Sequence, residues 1–165
     1  MKTTQKICLV AVDIRSAHNI GSFFRTCDGF GASLYIVGAS PRPLYDDDTR
    51  LPHIARKAEK EIAKTALGAE KTVSWRYAET LLECTTTLRK EGFRIYAIEQ
   101  ANTSKSLAEL PKSSAVALVV GREVEGLDNV EIGLCDAVFE IEMIGKKESF
   151  NVSVAAGIAL FQARC

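Results

Sequence analysis

The sequence predicts an α/β fold, a parallel sheet with helices on both faces, and three observations predict it. Strand-length apolar runs alternate with helix-length periodic segments along the whole chain. The runs are nearly continuous, as in KICLVAV (6–12) and AVALVVG (115–121). That is the pattern of strands buried on both faces rather than of a half-exposed sheet. The third is size: 165 residues, 47% hydrophobic and 25% charged, match one soluble domain with an ordinary core.

Taken in order, KICLVAV is the first strand. Asn19 is the expected cap of a helix whose buried stripe is Ile20, Phe23, Phe24 and Cys27, at i, i+3, i+4 and i+7, with Gly29 and Gly31 ending it. LYIVG (34–38) is a second buried strand. SPRPLYDDDT (40–49) is a loop marked by two prolines and three aspartates. Residues 50–66 read as a charged helix, KTVSW (71–75) as a short strand, and 78–90 as a helix. FRIYAIE (93–99) is a strand and 100–114 a long loop. After the strand at 115–121 come a short helical piece, the strand AVFEIEM (137–143), a loop at 144–149, and a last helix at 151–163 capped by Asn151.

Composition removes several functions. No apolar run approaches the ~20 residues of a membrane span, and the N-terminal run is too short for a secretory signal. Five scattered cysteines without a CxxC pair, beside only two histidines, argue for reduced cytoplasmic thiols rather than a metal site or disulfide framework. Net charge is zero, which speaks against indiscriminate polyanion binding, but it is unevenly spread. Residues 50–76 carry seven basic and three acidic side chains, and 91–142 four basic and ten acidic, so one face can be cationic. On charge alone, a solvated helix with i,i+4 pairs is the favoured reading of the basic segment.

In open parallel sheets ligands bind outside the carboxyl ends of the strands, so the loops there carry the chemistry. Three stand out. In HNIGSFFRTCDGFG (18–31), Arg25 lies about 100° round the helix from Phe24, at the flank of the apolar stripe. In VVGREVEGLDN (119–129), a buried strand runs into Gly121, Glu123 and Gly126; glycines there let backbone approach a ligand. The segment lacks both a P-loop ending and GxGxxG. In IEMIGKKESFNVSVAAG (141–157), Ser149 and Asn151 open a helix, and capping explains only one of them. Its run of Ala155, Ala156, Gly157 and Ala159 suits close helix packing, within the chain or between subunits.

The order N-x5-R-T-x-x-G-F-G, G-x-E-x-x-G-L, I-x-M-x-G-x3-S-x-N-V-S-V-A strongly resembles the SpoU (TrmH-like) group of SPOUT methyltransferases, from Ile7 to Gln162. KTALGAEKTVSW (64–75) resembles that group's stretch between its first two motifs. The resemblance implies a single SPOUT domain over 1–165, with no separate N-terminal RNA-binding domain and a deep trefoil knot in its C-terminal part. It implies methylation of RNA on a ribose 2′-hydroxyl, S-adenosylmethionine as donor, S-adenosylhomocysteine as product, and a homodimer with active sites near the subunit interface.

Carried over by motif, the catalytic set is Asn19, Arg25, Glu123, Ser149 and Asn151. The donor would be held by Gly121, Ile141 and Phe150, with Met143 and Gly126 nearby and Ile98 and Glu99 as another wall. The family pattern has proline at Glu142 and leucine at Phe150; neither change removes a reacting group. Arginine does not readily lose its proton, so Arg25 is expected to stabilise charge growing on the ribose oxygen rather than act as a base. RNA would be held by Arg15, Arg42, Arg50, Arg56, Lys57 and Lys60. Between tRNA and rRNA, the absence of an added RNA-binding domain favours tRNA. Alternatives are a knotted RNA-binding module without catalysis, a SPOUT base methyltransferase, and a nucleotide-binding regulator. Calorimetry with S-adenosylmethionine separates the first of these.

Overall fold

The computed structural model describes residues 5–165. Its sheet is built from β1 (Lys6–Val12), β2 (Ser33–Val37), β3 (Trp75–Ala78), β4 (Arg94–Ile98), β5 (Lys105–Ser106), β6 (Ala115–Val120) and β7 (Ala137–Glu140). The helices are α1 (Ala17–Phe30), α2 (Pro52–Ala66), α3 (Leu81–Lys90), α4 (Asn129–Gly133) and α5 (Val152–Arg164). The strands lie in the order β3-β2-β1-β6-β4-β7-β5, and all their pairings are parallel. The α/β sheet is therefore as expected.

The period of two along each strand sorts its side chains between two cores. Ile7, Leu9 and Ala11 of β1 face a cluster with Ile20, Phe23 and Phe24 of α1, Ile62 of α2 and Leu160 of α5. Cys8, Val10 and Val12 face the other way, against Leu81, Cys84 and Leu88 of α3. Helices thus cover both faces. Phe23 and Phe24 are wholly buried, each contributing on the order of 1.5–3 kcal/mol. Gly21 lets α1 lie directly on α2, since a Cβ there would overlap Thr65 and the Ile62 carbonyl. Thr65 Oγ1 then donates to the His18 carbonyl at 2.8 Å.

Several elements depart from the sequence reading. Ser16, not Asn19, caps α1: its hydroxyl accepts from Asn19 N. Asn19 stands inside the first turn, which leaves its side chain free for another task. The 71–75 strand is replaced by a short 3-10 turn at Ala69–Lys71 followed by β3, because Val73 packs as a turn residue while Trp75 and Tyr77 supply the alternation. The 100–114 loop contains the two-residue β5 and a 3-10 turn at Leu107–Glu109. The last strand stops at Glu140, short of 143, and α2 starts at Pro52, where proline suits the first helical position. Gly31 ends α1 in the left-handed conformation, and Asn151 caps α5, both as expected.

Candidate functional site

The carboxyl ends of β4, β6 and β7 enclose a cleft of about 250 Å³. Its lining includes Ile98 and Glu99 from the end of β4, Gly121, Glu123 and Gly126 from the loop after β6, and Ile141, Met143, Ser149 and Phe150 from the segment before α5. Every residue expected to hold the donor is there.

Close contacts between the loops shape this cleft. Glu99 Oε2 accepts from Leu127 N and Oε1 from Gln100 N, both at 2.9 Å. Gly126 has φ +66°, and a Cβ on it would overlap the Glu99 carboxylate; a Cβ on Gly121 would overlap the Gly126 backbone. The two glycines therefore allow the loop after β6 to fold back on itself and press against β4. Gln100 Nε2 donates to the Glu148 carbonyl at 2.7 Å, bringing the 141–151 segment to the same wall.

Glu123 reaches the start of α1. Its oxygens accept from Arg15 N, Ser16 N and Asn19 Nδ2, each at 3.0 Å. Burial alone would raise its pKa; these three donors outweigh it and hold the carboxyl below its ordinary range. The carboxylate thus sits on amides at a helix N-terminus, where negative charge is favoured. Asn19 acts here, as a partner of Glu123.

Beside it is a network that the motifs do not announce. Arg122 donates to Glu131 (2.9 Å to each oxygen), to Asp13 (2.7 Å) and to the Gly126 carbonyl (3.1 Å). Glu131, then Asp13, raise the Arg122 pKa above its ordinary value. The visible sequence signal was Asp128-x-x-Glu131, a capping box that starts α4 and turns Glu131 toward Arg122. With Arg122 neutralised by Asp13 and Glu131 and Glu125 paired to Arg15, Glu99, Glu123 and Glu148 leave the cleft wall acidic. Such a wall suits a cationic ligand and opposes a phosphate.

Of the other expected catalytic residues, Ser149 lines the cleft, and Asn151 caps α5 through its Oδ1, which accepts from Ser153 N at 2.8 Å and Ser153 Oγ at 2.7 Å, while its exposed Nδ2 has no hydrogen-bond partner among the described residues. Arg25 is exposed on α1 and is not part of the cleft lining of its own chain.

The six cations expected to meet RNA divide. Arg56, Lys57 and Lys60 are exposed on α2. Arg15 is exposed but paired with Glu125 at 2.6 Å. Arg42 is 9% exposed and stacks 3.7 Å over the Tyr77 ring, which corrects the expectation of a surface phosphate contact. Arg50 is also committed inward, to Asp48 and to the carbonyls of Arg42 and Pro43 at 3.0 Å each. Sequence gives the charge of an arginine but not its partner.

Strand-end loops that close over a cleft at the carboxyl edge of an all-parallel sheet define an α/β ligand-binding domain. Its family follows from comparison: the model of the SpoU rRNA Methylase family matches residues 6–161, and the chain belongs to that family. A Burkholderia 23S rRNA (guanosine-2′-O-)-methyltransferase RlmB is 33% identical over 156 residues, 94% of this chain and 58% of the relative. The chain thus spans little more than half of that relative's length. A tRNA (guanosine(18)-2′-O)-methyltransferase of Thermus thermophilus is 27% identical over 92% of this chain and 71% of its own. Among solved structures, the Aquifex aeolicus TrmH/SpoU tRNA modifying enzyme superposes with TM-score 0.77 at 25% identity, covering 97% of this chain and 74% of that one. The AdoMet-bound rRNA methyltransferase of Sinorhizobium meliloti gives 0.78 at 25% identity, covering 96% of this chain and 56% of that one.

Proposed function

We propose that this chain is an S-adenosylmethionine-dependent methyltransferase acting on a ribose 2′-hydroxyl of tRNA or rRNA, with S-adenosylhomocysteine as product. One observation carries the reading: the seven residues expected to hold the donor converge on a single cleft at the ends of β4, β6 and β7. The donor fits this chain's chemistry there. Ile98, Ile141, Met143 and Phe150 offer apolar surface to a ring, the loop at Gly121 and Gly126 offers backbone, and the acidic wall suits a sulfonium and an ammonium. The same wall disfavours the nucleotide-binding regulator. When bound, the donor supplies an electrophilic methyl group.

The protein's own task is alignment and charge. Holding the ribose oxygen in line with the methyl carbon lowers the barrier by several kcal/mol. A fixed guanidinium beside the developing oxyanion lowers it further. We assign that guanidinium to Arg25, with Ser149 orienting the ribose and Glu123 and Asn19 holding the loop after β6 against α1. Because Arg25 lies outside the cleft of its own chain, it serves the cleft of a second copy. The exposed apolar side chains of α5 and its approach, Phe150, Val154 and Phe161, support a homodimer through this face. Chain passage of residues 141–151 beside Gln100, and β7 entering the sheet between β4 and β5, support the family's trefoil knot. Arg56, Lys57 and Lys60 on α2 would take RNA phosphates, with affinity falling as salt rises.

Calorimetry with S-adenosylmethionine tests the reading: saturable binding is expected, and none would leave an RNA-binding module without catalysis. Arg25→Ala should lower methyl transfer at least about a hundredfold, with donor binding unchanged. A variant as fast as the wild type removes Arg25 from the chemistry. Mapping ribose methylation across total RNA, with and without the gene, identifies the substrate and separates ribose from base methylation.

A further inference from the structure

We propose that the β2–β3 edge carries a second binding site, one that stacks an unpaired guanine base and reads its Watson–Crick edge. Tyr45, Trp75 and Tyr77 line an open cleft there, with Tyr35, Leu44, Asp46 and Arg76, the last paired to Glu91 at 2.6 Å. The Tyr45 ring stands 6.0 Å from Trp75 at 86°, and 6.3 Å from Tyr77. Trp75 and Tyr77 are held from β3, an edge strand, and Tyr45 from the loop after β2.

The loop is held shut by other residues. Arg50 is fastened to Asp48 and to two backbone carbonyls. Arg42 is buried over Tyr77, 5.7 Å from Tyr45, and its Nε has no hydrogen-bond partner. Among the described residues no carboxylate lies within 4.0 Å of the Arg42 guanidinium. The face of the Tyr77 ring attracts its charge, and a guanidinium on one side of a ring favours an electron-rich base on the other. Half-buried rings on a fixed loop form a stacking platform at low entropic cost, and base–aromatic stacking is a main source of single-strand affinity.

Asp46 gives the platform a reading head. Its carboxylate is exposed, lines the same cleft and has no hydrogen-bond or ion-pair partner among the described residues. Because Arg76 in the same cleft is already paired to Glu91, the unpaired Asp46 carboxylate is the group left to select a ligand, and it selects donors on a base edge. Guanine presents N1–H and N2–H side by side, matching two carboxylate oxygens. Adenine and cytosine put a ring acceptor next to their amino group, and uracil puts a carbonyl on each side of its one N–H. This cleft runs along the free side of β3, beside Trp75, Arg76 and Tyr77, whereas the donor cleft lies at the carboxyl ends of β4, β6 and β7. Only β2 and β1 lie between β3 and β6, the nearest strand of the donor cleft, roughly 15 Å at ordinary strand spacing. That the guanine belongs to RNA rests on the function proposed above; a free guanine nucleotide has the same chemistry.

Trp75 is the chain's only tryptophan, so its fluorescence reports on the site directly. GMP should quench it saturably, with IMP, which lacks the 2-amino group, roughly tenfold weaker. Asp46→Asn, a change at an exposed position, should abolish the difference between GMP and IMP, and Tyr45→Ala should weaken both. A single-stranded oligoribonucleotide containing guanine should quench at lower concentration than GMP. Quenching by GMP but not by the oligonucleotide overturns the RNA assignment. No quenching, or equal quenching by GMP and IMP, overturns the site. Donor calorimetry on the same samples keeps the two readings apart: donor binding without quenching fails the base site alone, and quenching without donor binding fails the methyltransferase reading alone.

Discussion

At the β6–β4–β7 end of the sheet, carboxylates fasten the loops by accepting from backbone amides: Glu99 from Leu127 and Gln100, Glu123 from Arg15 and Ser16. At the β2–β3 end a guanidinium does the fastening, by donating to backbone carbonyls: Arg50 to Arg42 and Pro43. Both devices satisfy backbone groups that the end of a strand leaves unpaired. They differ in what they leave behind. The first leaves an acidic cleft suited to a cation. The second spends its cations internally and leaves aromatic rings and a free aspartate on the outside. One sheet thus offers two different chemistries.

Breaking the β2–β3 device should cost most. Arg50→Ala strands Asp48, whose side chain is 5% exposed and whose carboxyl is held down to about 2, chiefly by its hydrogen bond from Arg50. A loss of about 3 kcal/mol is expected in urea unfolding, with the Asp48 titration moving up toward its ordinary value of 3.8. At the other end, Gly126→Val forces a side chain into the Glu99 carboxylate at positive φ. About 2–3 kcal/mol should be lost, and donor affinity should fall with it; a variant that binds the donor normally would mean the loop after β6 does not shape the cleft.

A gentler break is Glu123→Gln, which removes the charge and turns one of the two accepting oxygens into an amide NH2 that faces a backbone or side-chain donor. About 2 kcal/mol is expected. The smallest effect is a difference in acid sensitivity. Both Glu123 and Asp48 titrate below their ordinary values, so each contributes fully above that value and less as pH falls through the folded one. For Glu123 the loss begins below 4.5; for Asp48 it begins below 3.8 and is not complete until about 2. Hydrogen exchange on lowering the pH should show both the Ser16 amide, bound to Glu123, and the Arg50 amide, bound to Asp48, losing protection; an amide whose protection does not change would mean that its carboxylate does not fasten that end.

The strands were legible where burial on both faces gave unbroken runs, as in β1 and β6, and the helix stripe at Ile20, Phe23, Phe24 and Cys27 is wholly buried. Local signals failed where two residues could do one job. Ser16 and Asn19 are both good caps three positions apart, and only the reach of Glu123 decides between them. β5 is two exposed residues held by pairing to β7, with nothing in Lys105–Ser106 to mark it. The cleft residues were found through the order of the motifs; no periodicity indicates that Ile98, Gly126 and Phe150 meet. Nothing local marks Arg122, because its partners, Asp13 and Glu131, lie 109 and 9 residues away.

The central strand also sets a timetable for synthesis. β1 pairs with β6 from Lys6 opposite Ala115 to Ala11 opposite Val120. Until residue 120 has left the ribosome, one edge of the most apolar strand near the N-terminus has no hydrogen-bonding neighbour of its own. An unfinished chain is then a template for aggregation, and the nascent protein should depend on chaperone cover until its third quarter is complete.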